Sequence, residues 1–182
     1  MRIIAGRFRG RPLTGLGKGD AAAHLRPTSD RVREALFSMI GARRDLEGLR
    51  VLDLFAGTGA LGLEALSRGA AHATFVESGR KAQRLIAANL ALLGVSEAAL
   101  LACEAARLPP ADAPCDLVFL DPPYDKGLGL PALQRARAQG WIAREALVVW
   151  EEVSPQRAEG FTALISRRYG DTVITLLEPI QP

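Results

Sequence analysis

Cysteine and histidine, which hold most transition metals in proteins, are both scarce in this sequence. Two cysteines, Cys103 and Cys115, and two histidines occur among 182 residues. Neither cysteine belongs to a Cys/His cluster with metal-ligand spacing, so we predict no metal cofactor. So few cysteines suit a reducing compartment, and we expect both to be small core residues.

Long apolar segments are missing as well. No apolar run approaches the roughly 18 residues of a membrane-spanning helix, and residues 1–7 lack the apolar core of a secretion signal. We therefore expect a cytoplasmic protein without a membrane partner. We also expect a monomer, although the apolar pattern does not address the oligomeric state. A length of 182 residues, of which 48% are apolar and 24% charged, suits a globular protein with one main domain.

Lysine supplies only three of the 23 basic residues, and the other 20 are arginine. Arginine suits bidentate phosphate contacts and base stacking, although a biased genome composition produces the same excess. The distribution of charge is more informative. Residues 1–50 hold 11 basic and 5 acidic residues, a net charge of +6, whereas the remainder carries −3. This asymmetry favours a polyanionic partner for the N-terminal segment.

The first 13 residues have the pattern of two short strands around a glycine-containing turn. Arg7, Arg9 and Arg11 alternate along this hairpin and would lie on one side of it, which suits phosphate contact. A charged edge strand that faces solvent explains the alternation equally well.

A helix that Thr28, Ser29 or Asp30 can cap follows, with its apolar residues on one face and Gly41 at its end. Arg26 precedes this helix and Arg31 and Arg33 are polar positions on it, so we expect all three to be free for a ligand or nucleic acid. Residues 1–48 are thus predicted to form a basic hairpin-and-helix extension, and residues 49–182 the main domain.

From residue 49 onward, strand and helix patterns alternate, which indicates a parallel α/β sheet. The first strand leads into a turn with Gly57, Gly59 and Gly62, the spacing of dinucleotide-binding loops. The second strand ends in Glu77, at a position where an acid accepts hydrogen bonds from both ribose hydroxyls. These features predict a cofactor that contains a nucleoside, and alone they fit a nicotinamide-dependent oxidoreductase.

A buried strand over residues 116–120 ends at the sequence Asp121, Pro122, Pro123, Tyr124. Neither proline can donate a ladder hydrogen bond, so strand pairing stops there. A carboxylate, two backbone carbonyls and an aromatic ring then lie at the carboxyl end of a central strand, where open α/β sheets bind ligands. This arrangement suits a flat group that carries an amine, while the alternative is a simple turn.

The C-terminal segment interrupts the alternation of strands and helices. Residues 161–166 and 172–177 flank a Tyr169, Gly170, Asp171 turn and predict an antiparallel hairpin. The fold class is therefore α/β: a Rossmann-like, seven-stranded, mostly parallel sheet with a C-terminal antiparallel hairpin and a small N-terminal extension.

Three motifs in this order resemble those of S-adenosylmethionine-dependent amino-methyltransferases: residues 53–59 (DLFAGTG), Glu77 and residues 121–124 (DPPY). Residues 26–37, the basic hairpin and the turn at residues 169–171 more narrowly resemble the RsmD family, and the similarity runs essentially end to end. That family methylates N2 of one guanine in bacterial 16S ribosomal RNA. The resemblance implies a class I methyltransferase fold, S-adenosylmethionine as cofactor, and 16S rRNA of the small ribosomal subunit as substrate.

The resemblance also implies roles for individual residues. The expected cofactor-binding residues are Asp53, Phe55, Gly57, Thr58, Gly59, Glu77, Glu104, Ala105 and Asp121, with Glu104 in place of the aspartate usual in the family. The expected catalytic residues are Asp121, Pro122 and Tyr124. The expected RNA contacts are Arg7, Arg9, Arg11, Arg26, Arg31 and Tyr124.

The chemistry of a guanine amine agrees with these residues. Its lone pair is delocalised into the ring, so hydrogen bonds from its N–H groups to the Asp121 carboxylate and the Pro122 carbonyl would turn the lone pair toward the methyl donor. Tyr124 would stack on the flipped-out base. Catalysis would then consist mostly of positioning for in-line transfer.

Other functions stay open at this point. The motif at residues 121–124 serves planar amines in general, so adenine N6 in DNA or RNA and a glutamine side chain are alternative substrates. An oxidoreductase would leave that motif unexplained. A non-catalytic RNA-binding module would explain the arginines but not the cofactor motifs.

Overall fold

The computed structural model describes residues 1–15 and 29–181. Its regular elements follow in the order α1 (Asp30–Gly41), β1 (Arg50–Leu54), α2 (Ala60–Ser67), β2 (His72–Val76), α3 (Arg80–Leu93), β3 (Ala98–Leu101), a short 3-10 turn (Ala105–Arg107), β4 (Cys115–Leu120), α4 (Gly129–Ala138), β5 (Ile142–Glu152), β6 (Phe161–Tyr169) and β7 (Thr172–Pro179).

The seven strands form one sheet in the order β3-β2-β1-β4-β5-β7-β6. The first five strands are parallel, and β7 runs antiparallel to both β5 and β6. Helical connections between parallel strands and a tight turn between β6 and β7 account for this pattern. The predicted seven-stranded, mostly parallel sheet with a C-terminal antiparallel hairpin is confirmed.

Helices cover both faces of the sheet. One apolar cluster joins α1, α2 and α3 to the sheet, and the other joins α4 and the 3-10 turn to the opposite face. Ile3 and Leu13 belong to the first cluster, so the N-terminal segment shares the core of the main domain. The boundary near residue 48 remains a prediction.

The N-terminal segment is a narrow ribbon with a single antiparallel bridge between Arg2 and Pro12. Its backbone also bonds to α2: the N–H groups of Ile4 and Ala5 donate to the two carboxylate oxygens of buried Glu64, at 2.8 and 3.0 Å. Gly6 must be glycine, because a Cβ there would lie 1.7 Å from the Ser67 carbonyl oxygen. The ribbon is therefore docked on α2 through specific bonds.

Arg33 corrects one expectation, because only 1% of this residue is exposed. Its Nη2 donates to the Asp30 carboxylate at 2.9 Å and to the Arg2 carbonyl. Arg33 lies three residues before Leu36 and four before Phe37, on the buried face of α1. It is not free for nucleic acid, and burial lowers the pKa of its guanidinium.

Candidate active site

Parallel pairing brings the ends of three central strands together at one edge of the sheet. The last residues of β1, β2 and β4 are in register with one another. Phe55, Glu77 and Asp121, which follow those strands directly, therefore leave the sheet side by side. This is the carboxyl edge, where ligands bind in open α/β sheets.

A cavity of about 770 Å³ opens at this edge, within the range of small-molecule sites. Its lining consists of Phe55, Val76, Glu77, Ser78, Cys103, Glu104, Ala105, Ala106, Asp121, Pro122, Pro123, Tyr124, Lys126, Leu128 and Pro131. Five of the nine expected cofactor residues and all three expected catalytic residues are in this lining. The other four, Asp53, Gly57, Thr58 and Gly59, lie outside it.

Glu77 connects the cavity to the glycine-rich loop. Its Oε2 accepts a hydrogen bond from the Gly57 N–H at 2.9 Å, and its Oε1 accepts one from the Gly79 N–H at 2.7 Å. Each carboxylate oxygen retains a further lone pair, so the group can also accept hydrogen bonds from two hydroxyls. Gly57 and Gly59 have φ of 58° and 78°, the left-handed conformation that glycine adopts without strain.

Phe55 adopts φ 62°, although it is not glycine. This conformation is strained for a residue with a bulky side chain, and such residues cluster at ligand sites. Phe55 lines the cavity at the end of β1, beside Asp121 on the neighbouring strand. The strain thus lies at the candidate site itself.

Asp53 lies beneath the loop and is 1% exposed. Its Oδ2 accepts a hydrogen bond from the Gly62 N–H at 2.9 Å, which fixes the first turn of α2. Burial raises the pKa of Asp53 to about 8, and the charge of Glu77 adds to the effect. In this structure Asp53 supports the loop from below.

Asp121 lies next to several other carboxyl groups. Burial raises the pKa of Asp121 well above its usual value, and the charges of Glu151, Asp53 and Glu152 raise it further. Both effects favour the protonated form of Asp121 more than water does. A protonated carboxyl group still offers a carbonyl oxygen as a hydrogen-bond acceptor.

Tyr124, in the loop after β4, is held by residues from β5 and β7. Its hydroxyl donates to Glu151 Oε1 at 3.0 Å and lies 2.7 Å from Thr172 Oγ1. If the tyrosine proton goes to Glu151, the Thr172 hydroxyl donates to Tyr124. These bonds fix the Tyr124 ring on the cavity wall. Sequence reasoning missed both partners, which lie in β5 and directly after the turn at residues 169–171.

Among the expected RNA contacts within residues 1–15 and 29–181, Tyr124 alone lines the cavity. Arg7 forms an ion pair with Glu97, the residue before β3, and Arg11 Nη2 donates to the Leu92 carbonyl at 3.1 Å. Arg7 therefore lies toward the amino edge of the sheet, opposite Asp121.

Of the remaining expected RNA contacts, Arg9 and Arg31 are exposed. Arg26 lies outside the described residues. All of these assignments remain predictions.

Metal and membrane sites are not found in residues 1–15 and 29–181. No group of three or more His, Cys, Asp or Glu side chains there could hold a metal ion. None of the helices in these ranges is both long and apolar enough to cross a bilayer.

Comparison with known proteins gives consistent matches. A family model described as "Conserved hypothetical protein 95" matches residues 1–178. The chain is 41% identical to Ribosomal RNA small subunit methyltransferase D of Escherichia coli (strain K12) over 152 residues, which cover 83% of this chain and 74% of that protein. The protein of the same name from Haemophilus influenzae is 36% identical over 156 residues, covering 83% and 78%. The solved structure of E. coli yhhF has a TM-score of 0.85 and 35% identity, covering 98% and 97%.

We predict that Asp53→Asn flattens the pH dependence of stability between about pH 4 and pH 8. The pKa of Asp53 is about 8 in the folded protein, above the value of 3.8 in the unfolded chain. In this window the unfolded state binds fewer protons, so wild-type stability falls as pH rises. Asparagine keeps an oxygen acceptor for the Gly62 N–H but does not titrate.

The measurement is the melting temperature of both proteins from pH 5 to pH 8.5, with Asp112→Asn, a change at an exposed aspartate, as control. The difference in melting temperature between Asp53→Asn and wild type should grow with pH and then level off. A difference in melting temperature that stays constant over this range would show that Asp53 is already ionised at pH 5.

Proposed function

As the chain belongs to the RsmD family, we propose that it transfers a methyl group from S-adenosylmethionine to the exocyclic N2 amine of a guanine in 16S rRNA. The rRNA substrate is supported by the names of the relatives. The observation that supports amine chemistry is the position of Asp121, Pro122 and Tyr124 in the same cavity as Glu77.

S-adenosylmethionine fits the chemistry of the cavity. Glu77 offers two acceptor oxygens to the ribose hydroxyls. Phe55 and Ala105 provide apolar surface, and Glu104 is an acceptor beside Ala105 for the adenine amine. When bound, this cofactor supplies an electrophilic methyl group on a positively charged sulfur.

The residues at the end of β4 would hold the amine. The Asp121 carboxyl group and the Pro122 carbonyl accept hydrogen bonds from the two N–H groups, which orients the nitrogen lone pair. Tyr124, fixed by Glu151 and Thr172, presents its ring to the base. Stacking on an aromatic ring contributes roughly 1–3 kcal/mol per base in single-strand binders.

A strong base is not required for this reaction. Nitrogen that has gained a methyl group is cationic and loses a proton readily. Asp121 can therefore act through its carbonyl oxygen even while the carboxyl group is protonated, the form that its surroundings favour. Positioning, rather than proton removal, would provide most of the rate enhancement.

The N-terminal extension, residues 1–48, would bind the RNA through its arginines. Arg7 is near the amino edge of the sheet beside β3, Ala98–Leu101, whereas Tyr124 follows β4 at the carboxyl edge. The four residues of β3, at about 3.3 Å each, span about 13 Å along the strands, and the three strand spacings from β3 to β4, at about 4.8 Å each, span about 14 Å across the sheet. One RNA that contacts both residues must cover both distances.

We expect the purified protein to transfer labelled methyl groups from S-adenosylmethionine to small ribosomal subunits, or to 16S RNA, from cells that lack the modification. Nucleoside analysis should then identify N2-methylguanosine. Label in N6-methyladenosine would support the same amine chemistry but show that the substrate base is adenine. Label in protein glutamine, with none in RNA, would contradict the rRNA assignment.

Asp121→Asn should retain far more activity than Asp121→Ala. Asparagine preserves a carbonyl acceptor at the same position, whereas alanine removes it and should lower kcat at least about 100-fold, as for loss of an essential positioning group. Binding of S-adenosylmethionine, measured by calorimetry, should largely survive in both variants. Equal activity of the two would show that the acceptor oxygen is not required.

Replacing Arg7, Arg9 and Arg11 together by alanine should weaken RNA binding and reduce its salt dependence. Each lost phosphate contact lowers the slope of log K against log[salt] by about 0.7–0.9. The matched control replaces the same three residues by lysine, which keeps the charges and should keep the slope. A slope unchanged in the alanine variant would remove these arginines from the RNA interface.

A further inference from the structure

A buried asparagine outside the cavity joins the N-terminal segment to the glycine-rich loop. Asn89 lies on α3 and is 0% exposed. Its Nδ2 donates to the carbonyl oxygens of Thr58 and Thr14, both at 3.0 Å, and its Oδ1 accepts from the Thr14 N–H at 2.7 Å. The amide group therefore bonds both to the loop and to a residue 75 positions away in the chain.

The bond to Thr58 acts on the part of the loop next to the candidate cofactor site. Thr58 lies between Gly57 and Gly59, two residues in the left-handed conformation that glycine adopts readily because it has no Cβ atom. Gly57 is anchored to Glu77 by its N–H, and Gly59 by a bond from its N–H to the Ala56 carbonyl at 2.7 Å. The bond from Asn89 fixes the Thr58 carbonyl group, which lies between the anchored N–H groups of Gly57 and Gly59.

The other end of the connection depends on how the N-terminal segment is docked. Thr14 follows Leu13, which is buried in the core and donates its N–H to the Met1 carbonyl at 3.1 Å. The same segment is held on α2 through Glu64. The position of the Thr14 backbone, and with it the orientation of the Asn89 amide, is therefore set by this docking.

We propose that Asn89 is a positioning residue for cofactor binding, which makes the affinity of the loop for the cofactor depend on the docked N-terminal segment. This inference rests on the proposed function, since it takes the loop to hold S-adenosylmethionine. Thr14 and Asn89 do not line the cavity. They act by orienting the Thr58 peptide group, and a buried carbonyl without its donor is costly, so the loop would shift when Asn89 is changed.

The first test compares Asn89→Asp and Asn89→Ala with wild type in calorimetric titrations with S-adenosylmethionine. Aspartate has nearly the same shape but cannot donate to the two carbonyls. Ala88→Asp, which adds the same charge at the neighbouring exposed position of α3, is the matched control. The dissociation constant should rise about tenfold or more in both Asn89 variants and stay unchanged in the control.

Steady-state kinetics separate positioning from general damage to the fold. In Asn89→Asp, KM for S-adenosylmethionine should rise while kcat at saturating cofactor stays within about twofold of wild type. A loss of folded protein would lower kcat and leave KM unchanged. That result would overturn the proposal.

The second test changes the far end of the connection. Thr14→Pro removes the N–H that bonds to Asn89, whereas Thr14→Ala keeps it. Only the proline variant should weaken cofactor binding, although residue 14 does not line the cavity. If Asn89→Ala does not fold, the affinities of Asn89→Asp and Thr14→Pro for S-adenosylmethionine are compared with that of wild type instead.

The outcomes also distinguish this inference from the proposed function. Failure of the wild type to bind S-adenosylmethionine would contradict the proposed function. Binding by the wild type, with the same affinity in Asn89→Asp and Thr14→Pro, would leave the proposed function standing and reject the role of Asn89.

Discussion

The register of the parallel strands decides where the chemistry of this protein lies. The last residues of β1, β2 and β4 form one row with Trp150 of β5, so Phe55, Glu77, Asp121 and Glu151 come next as neighbours at the carboxyl edge. A shift of one residue in any pair would turn the side chain of that strand to the other face. Phe55, Glu77 and Asp121 line one cavity because this register is kept.

Two aspartates near this edge, Asp53 and Asp121, lie in surroundings that oppose their ionisation. Burial raises the pKa of Asp53 and Asp121, and Glu77 and Glu151 raise them further. Such a cluster destabilises the protein at high pH when no ligand is present. A ligand with a positive charge relieves the repulsion, so the same groups that weaken the free protein favour a cationic cofactor.

Local patterns predicted most of the fold and the central motif, because strand alternation, glycine spacing and the two prolines act through nearby residues. The prediction that Arg33 is free was wrong. Its spacing from Leu36 and Phe37 places it on the buried face of α1, but a charged residue is ordinarily assigned to the exposed face. Glu64 and Asn89 could not be found at all. Their partners in the N-terminal segment are 59 to 75 residues distant, and only the packing of that segment reveals why these side chains are buried.

The bond network around Tyr124 has a consequence for how the family can diverge. Tyr124, Glu151 and Thr172 come from three separate parts of the chain but share two hydrogen bonds. A mutation that removes the Tyr124 hydroxyl breaks both bonds at once, so the buried Glu151 carboxylate loses one donor and Thr172 loses one partner. Natural variation at these positions should therefore be correlated, so that lineages change them together or preserve all three.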